Sequence, residues 1–196
     1  MTLFSNSDTE RFSAPLDRPA SFSAGRTINT PFEHVMLPSF AALEEYLPNI
    51  SPGQNKIFYS DGIWSNYELM EHLLQISGPA LVGFTTWSIS EIAITRMNEW
   101  VSCGKIIELY AVLDNGLRNR KPQIFQQAQE TFKNLKLSHC HAKVMAIVSP
   151  DISFLVIGSA NFTKNPRKEA GVLICDRNEA EFALNWVKSI IDGSDI

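Results

Sequence analysis

Cysteine is scarce in this chain of 196 residues. Cys103, Cys140 and Cys175 form an odd and widely spaced set, which supports neither a disulfide framework nor a zinc ribbon. No apolar run approaches the roughly 20 residues that a membrane helix needs. The opening, MTLFSNSDTERFSAPL, has neither the charged nor the apolar region of a secretory leader. A reducing, cytoplasmic setting without a membrane partner is therefore expected. Internal repeats are missing, and so is an overall positive charge, the net value being −4. No metal or cofactor is expected: His139, Cys140 and His141 are adjacent, and neighbours on opposite faces of a strand cannot share an ion.

What is present is enough for a core. Hydrophobic residues make up 44% of the chain and aromatic ones 10%, as suits one domain. The charge is unevenly placed. From Lys105 to Cys175 there are ten Lys/Arg against five Asp/Glu, while the rest holds seven basic and sixteen acidic residues. Such asymmetry suits a protein with one anion-facing surface, although solvated loops could sort in the same way.

Residues 1–36 are rich in Ser, Thr, Pro and Asn and read as a mobile arm, leaving 37–196 as a single domain. Within it, SFAALEEYL from Ser39 is a helix candidate and NKIFYS (55–60) a strand. Ser65 with Glu68 forms a capping box that opens NYELMEHLLQIS, which Gly78 stops. ALVGFTTW (80–87) reads as a strand covered on both faces. Ser88 and Glu91 predict a second capping box, on a helix whose apolar side holds Ile89, Ile92, Ala93, Met97, Trp100 and Val101. After KIIELYAVLD come a basic loop, NGLRNRKP, and the helix QIFQQAQETFKN. Three strands are expected over 137–148, 152–159 and 169–176, then a helix capped by Asn178 with Phe182, Trp186 and Ile190 on its apolar side. This order predicts the α/β class, a mixed β-sheet sandwiched between helices.

The polar residues of the late strands carry the chemistry. Side chains two apart share a strand face, so His141 and Lys143 point together, as do Ser159 and Asn161. VSPD is a turn signal that makes the two segments an antiparallel hairpin. Pairing across it brings an imidazole, an ammonium, a hydroxyl and an amide together beside Gly158. Lys and Asn can hold the oxygens of a tetrahedral anion while His attacks or shuttles a proton.

His-x-Lys followed by Gly-Ser-x-Asn resembles the phospholipase D superfamily, whose HKD signature is His-x-Lys, four residues, Asp, six residues, Gly-Ser-x-Asn. The resemblance extends over about residues 55–191, and GSANFT and EAGVLI both look like the family's phrases. It departs at the Asp. Counting from Lys143 reaches Val148, whereas counting back from Gly158 reaches Asp151, so the hairpin is three residues longer than the pattern. Asp151 either takes the family's supporting role or shapes the turn. The resemblance also implies an acidic residue that holds the His in one tautomer, and Glu169 is the candidate.

The family builds one site from two motif copies and this chain has one, which implies a homodimer. The expected activity is a metal-independent phosphodiesterase, a nuclease working through a phosphohistidine. Lys164, Arg167 and Lys168, together with Arg118, Arg120 and Lys121, are candidates for tracking a nucleic-acid backbone, with solvated loops as the competing account. Two other functions fit the same residues: a nucleic-acid-binding module without useful catalysis and, less well, a phospholipid-cleaving enzyme.

Overall fold

The computed structural model of the protein describes residues 32–47, 50–62, 64–164 and 166–193. The elements run β1 (Phe32–Met36), α1 (Phe40–Tyr46), β2 (Asn55–Ser60), α2 (Asn66–Ser77), β3 (Ala80–Thr86), α3 (Glu91–Ser102) and β4 (Ile106–Asp114). They continue with α4 (Leu117–Arg120), α5 (Pro122–Thr131), β5 (Asn134–Ser138), β6 (Val144–Val148), β7 (Phe154–Gly158), β8 (Glu169–Ile174) and α6 (Arg177–Asp192). Eight strands form one sheet in the order β1-β2-β8-β7-β6-β3-β4-β5. β3, β4 and β5 are parallel, as are β1 and β2, while β3-β6, β6-β7, β7-β8 and β8-β2 pair antiparallel. The chain is thus an α/β protein with a mixed sheet flanked by helices.

Alternation along the strands builds two cores. Phe58, Val82, Phe84, Met145, Ile147 and Leu173 face one way and meet Leu43 of α1, Met70 of α2, Met97 of α3 and Phe125 of α5. Ala146, Val148, Leu155 and Ile174 face the other way, against Ala180, Ala183 and Leu184 of α6. Gly83 lets α6 sit low on the sheet, since a Cβ there would lie 2.7 Å from Leu184 Cδ1. The small face of α6 explains why Phe182 is 62% exposed rather than in the apolar contact. Trp186 and Ile190 do pack against Val112 and Val187.

Several sequence expectations are corrected. The last residues of the expected arm form β1, because Val35 buries itself beside Phe58 and the segment pairs with β2; residues 1–31 lie outside those described. The strand expected over 137–148 is broken at 139–143. Ser90, not Ser88, caps α3 by accepting from Ala93 N. The reason is the isolated parallel bridge between Ile89 and Phe162, which keeps the chain extended up to Ser90. Ile94 replaces Ile92 and Val101 on the buried face of α3. The basic loop contains the turn of helix α4. Asp176, not Asn178, caps α6, with its carboxylate accepting from Asn178 N and Glu179 N. The capping box of Ser65 and Glu68 is present on α2.

Candidate active site

The strand directions gather four chain segments at one end of the sheet. β3 and β7 finish there, and β6 and β8 begin there. Between them lies an open cavity of about 400 Å³, lined by His141, Lys143, Ser159, Asn161 and Glu169, with Trp87, Thr163, Arg167 and Lys168 at its sides.

Residues 141–143 reach the cavity without ladder pairing of their own. Thr85 Oγ1 instead donates to Ala142 O at 3.0 Å and accepts from Val144 N at 3.2 Å. Lys143 O accepts from Gly158 N at 3.0 Å. These bonds keep the segment extended, and His141 and Lys143 both line the cavity. Lys143 is buried, and its Nζ donates to His141 O at 2.6 Å while lying 3.2 Å from His141 Nδ1. Burial pushes its ammonium below the ordinary lysine value, opposed by Cys140, Glu169 and Asp114. A buried amine beside an imidazole and facing an open polar cavity is suited to receive an anion.

Ser159 follows the Gly158–Gly171 pair of β7 and β8. Its hydroxyl donates to Glu169 Oε2 and accepts from Ala170 N at 3.0 Å. Among the described residues no hydrogen bond joins Glu169 to His141, so the expected direct orientation of the imidazole by Glu169 is replaced by a Ser159–Glu169 contact. The geometry gives the reason: Ser159 and Glu169 are cross-strand neighbours, whereas β7 stands between β8 and the segment that carries His141. Asn161 is held by its surroundings. Its Oδ1 lies 3.1 Å from Thr86 Oγ1, and Asn66 Nδ2 donates to Ala160 O at 2.5 Å, fastening this loop to α2.

The candidate backbone-tracking residues divide. Arg167 and Lys168 line the cavity, with Lys168 Nζ 2.6 Å from Asp61 Oδ1. Lys164 is outside it and lies 3.9 Å from Glu68 Oε1. Arg118 stacks on Phe125, Lys121 Nζ donates to Ser88 Oγ at 3.3 Å, and Arg120 lies over Trp87. Arg120 and Lys121 border the site through Trp87 and Ser88 rather than lining it, and Arg118 rests on Phe125 outside it.

Asp151 is not brought to the cavity. It is exposed in the β6–β7 turn, beside a hollow lined by Pro150 and Arg177. The five residues of β6 separate that turn from the cavity, which at about 3.3 Å per residue is roughly 17 Å. The longer hairpin has carried Asp151 past the strand end.

Trp87, Thr86 and Thr163 are site residues that motif spacing did not reveal. For Thr86 and Trp87 the available signal was TTW, a polar-aromatic ending on an otherwise buried strand, and Thr163 closes the GSANFT phrase. No group of three His, Cys, Asp or Glu that could hold a metal occurs among the described residues, and none of their helices is long and apolar enough to cross a membrane.

Fold and site together define an α/β protein with a cationic, hydroxyl- and amide-lined cavity at its strand ends. No protein-family model matches the chain, and no curated protein matches it in sequence. Solved structures do resemble it. Polyphosphate kinase from Porphyromonas gingivalis matches with a TM-score of 0.51 and 13% identity, over 72% of this chain and 26% of the kinase. TrmBL2, an archaeal chromatin protein whose structure shows a novel mode of DNA binding, matches with a TM-score of 0.48 and 12% identity, over 79% of this chain and 58% of TrmBL2. The chain therefore spans less than two thirds of either. At such identity the likeness to the kinase shows the fold alone.

Proposed function

We propose that the protein is a cytoplasmic, metal-independent phosphodiesterase of the phospholipase D type, a nuclease, which completes its site as a homodimer. The observation that carries this reading is that His141, Lys143, Ser159 and Asn161, which the HKD-like spacing singles out, line one cavity together with Glu169. The basic excess of the motif half favours nucleic acid over lipid.

In this mechanism a ring nitrogen of His141 attacks phosphorus, the P–N bond forms and the bond to the leaving oxygen breaks. His141 of the partner subunit gives that oxygen its proton. The same partner imidazole then takes a proton from water as the water oxygen attacks phosphorus, and the P–N bond breaks to release His141. Lys143 and Asn161 hold the phosphate oxygens. Ser159, its own proton engaged by Glu169, keeps that carboxylate within the field of Lys143.

The test is cleavage of single- and double-stranded DNA and RNA in the presence of EDTA. Cleavage should persist in EDTA, fall at least about a thousandfold in His141→Ala, and leave an acid-labile phosphate on wild-type protein quenched in alkali. EDTA-sensitive cleavage, or cleavage unaffected by His141→Ala, overturns the reading. A second reading, a nucleic-acid-binding module without catalysis, is favoured by the position of Asp151 and by the bonding of Glu169 to Ser159. It requires binding without cleavage on every substrate.

A further inference from the structure

The phosphate chemistry makes no use of Trp87, yet the indole stands at the edge of the cavity. Trp64 and Trp100 are 2% and 3% exposed, whereas Trp87 is 36% exposed. An aromatic side chain of this size left in water forgoes burial that Trp64 and Trp100 obtain in full and Trp186 in part. It is also held still. The Arg120 guanidinium lies 4.0 Å from the indole centroid. Arg120 Nη2 donates to Trp87 O at 2.9 Å and pairs with Asp114 Oδ1 at 2.8 Å. Asp114 and Arg120 therefore fix one face of the ring, and Trp87 is among the residues that line the cavity. The His141 ring is 6.1 Å away, tilted by 58°.

We propose that Trp87 is a stacking platform for an unpaired nucleobase next to the phosphate held at His141, so that the substrate is single-stranded nucleic acid. The inference rests on the phosphodiesterase reading and adds the substrate class. A flat ring fixed beside a phosphate site fits a nucleotide, which carries a π face next to each phosphate. In a duplex that face is already covered by the neighbouring base pair, so only an unstacked base can use the ring. Asn161, Thr163, Arg167 and Lys168 make the rest of the rim polar, which suits a backbone and not acyl chains. Stacking reads no base edge, so discrimination among bases should be weak.

Four measurements test it. Wild type should cleave a single-stranded oligonucleotide with a kcat/KM at least about tenfold above that for the same strand built with abasic residues, and above that for the duplex. Trp87→Leu should raise KM for the base-bearing strand about tenfold or more with a smaller change in kcat. Trp87→Phe should restore most of it, and neither variant should change cleavage of the abasic strand. In a His141→Ala background, oligothymidine should quench tryptophan fluorescence, and the quenching should disappear when Trp87→Leu is added. Equal wild-type cleavage of base-bearing and abasic strands overturns the proposal and needs no variant. So does an equal loss on both strands, which would make the indole a positioning residue for His141. Conversion of a dimer into monomers by Trp87→Leu overturns it as well, by making the ring a subunit contact. If cleavage ignores His141→Ala, the phosphodiesterase reading fails, while fluorescence quenching still decides whether Trp87 stacks a base.

Discussion

Replacing Gly171 with alanine probes how closely the strands beneath the cavity must approach. Gly171 of β8 pairs with Gly158 of β7. A Cβ at position 171 would press on Phe58 Cζ and stand 2.9 Å from both Phe58 Cε1 and Ile157 O. Neither neighbour can give way easily. Phe58 is 2% exposed and packs on Trp64 at 5.7 Å between ring centroids, and the carbonyl belongs to the sheet backbone. Overpacking of this kind costs about 1–3 kcal/mol. In a chain of this length each kcal/mol lowers the melting temperature by about 2–4 °C, so Gly171→Ala should melt about 4–8 °C below wild type for the middle of that range. The ring's share can be isolated with Phe58→Leu, which opens space where the new methyl needs it. The double variant should be more stable than the sum of the single changes predicts, by at least about 0.5 kcal/mol in urea denaturation. A melting temperature for Gly171→Ala within about 1 °C of wild type, or strict additivity with Phe58→Leu, would refute the close-packing argument.

Asp151→Ala should leave cleavage unchanged and stability within about 0.5 kcal/mol, as a turn residue outside the cavity would; a loss matching His141→Ala would return Asp151 to the site. Arg167→Ala with Lys168→Ala should weaken single-strand binding and reduce the slope of log K against log salt by about 1.4, two phosphates at about 0.7 each. An unchanged slope in filter binding would make both solvated rim residues. Burial lowers the folded pKa of Lys143 below 10.5, so the unfolded chain binds more protons and stability should rise with pH between the folded value and 10.5. Lys143→Met should flatten that rise in urea melts between pH 8 and 10.5 and abolish cleavage, and an identical pH profile would refute the linkage. Mixing wild type with His141→Ala protein, after proven subunit exchange, should give activity approaching the square of the wild-type fraction, because a mixed dimer lacks either nucleophile or acid. A strictly linear fall, or a monomer in solution, would count against the shared site.

The hairpin that carries His141, Lys143, Ser159 and Asn161 was legible because two local rules agree: alternation assigns faces and VSPD sets the turn. Strand 139–143 was overextended because its backbone bonds go to Thr85, a side chain from a strand more than fifty residues earlier, and hydrophobic alternation contains no information about such a partner. Trp87 escaped notice for a similar reason: the TTW ending is only a faint local mark, and the pairing of β3 with β6 carries it to the site. Glu169 was placed at the cavity by its strand position, but its hydrogen-bond partner depends on which strands are neighbours. The caps of α3 and α6 moved by two residues, since a bridge to Phe162 and a carboxylate at Asp176 outcompeted the local patterns at Ser88 and Asn178. Phe182 looked like core from helical period alone, yet the sheet surface opposite selects the small side of α6.

The strand order has a consequence for how the molecule is made. β8 lies between β2 and β7, so until residues 169–174 have left the ribosome, β2 can pair only with β1. The growing chain then holds two separate pieces of sheet, a parallel pair and a five-stranded block from β7 to β5. Insertion of β8 pairs it with β2, more than a hundred residues earlier in sequence, a closure that is entropically slow. It also exposes two unpaired edges while it is awaited, the condition under which nascent chains associate wrongly. Glu169 arrives with this closing strand. The cavity is therefore completed at the same moment as the sheet, and a nascent chain carries no finished candidate site before its fold is closed.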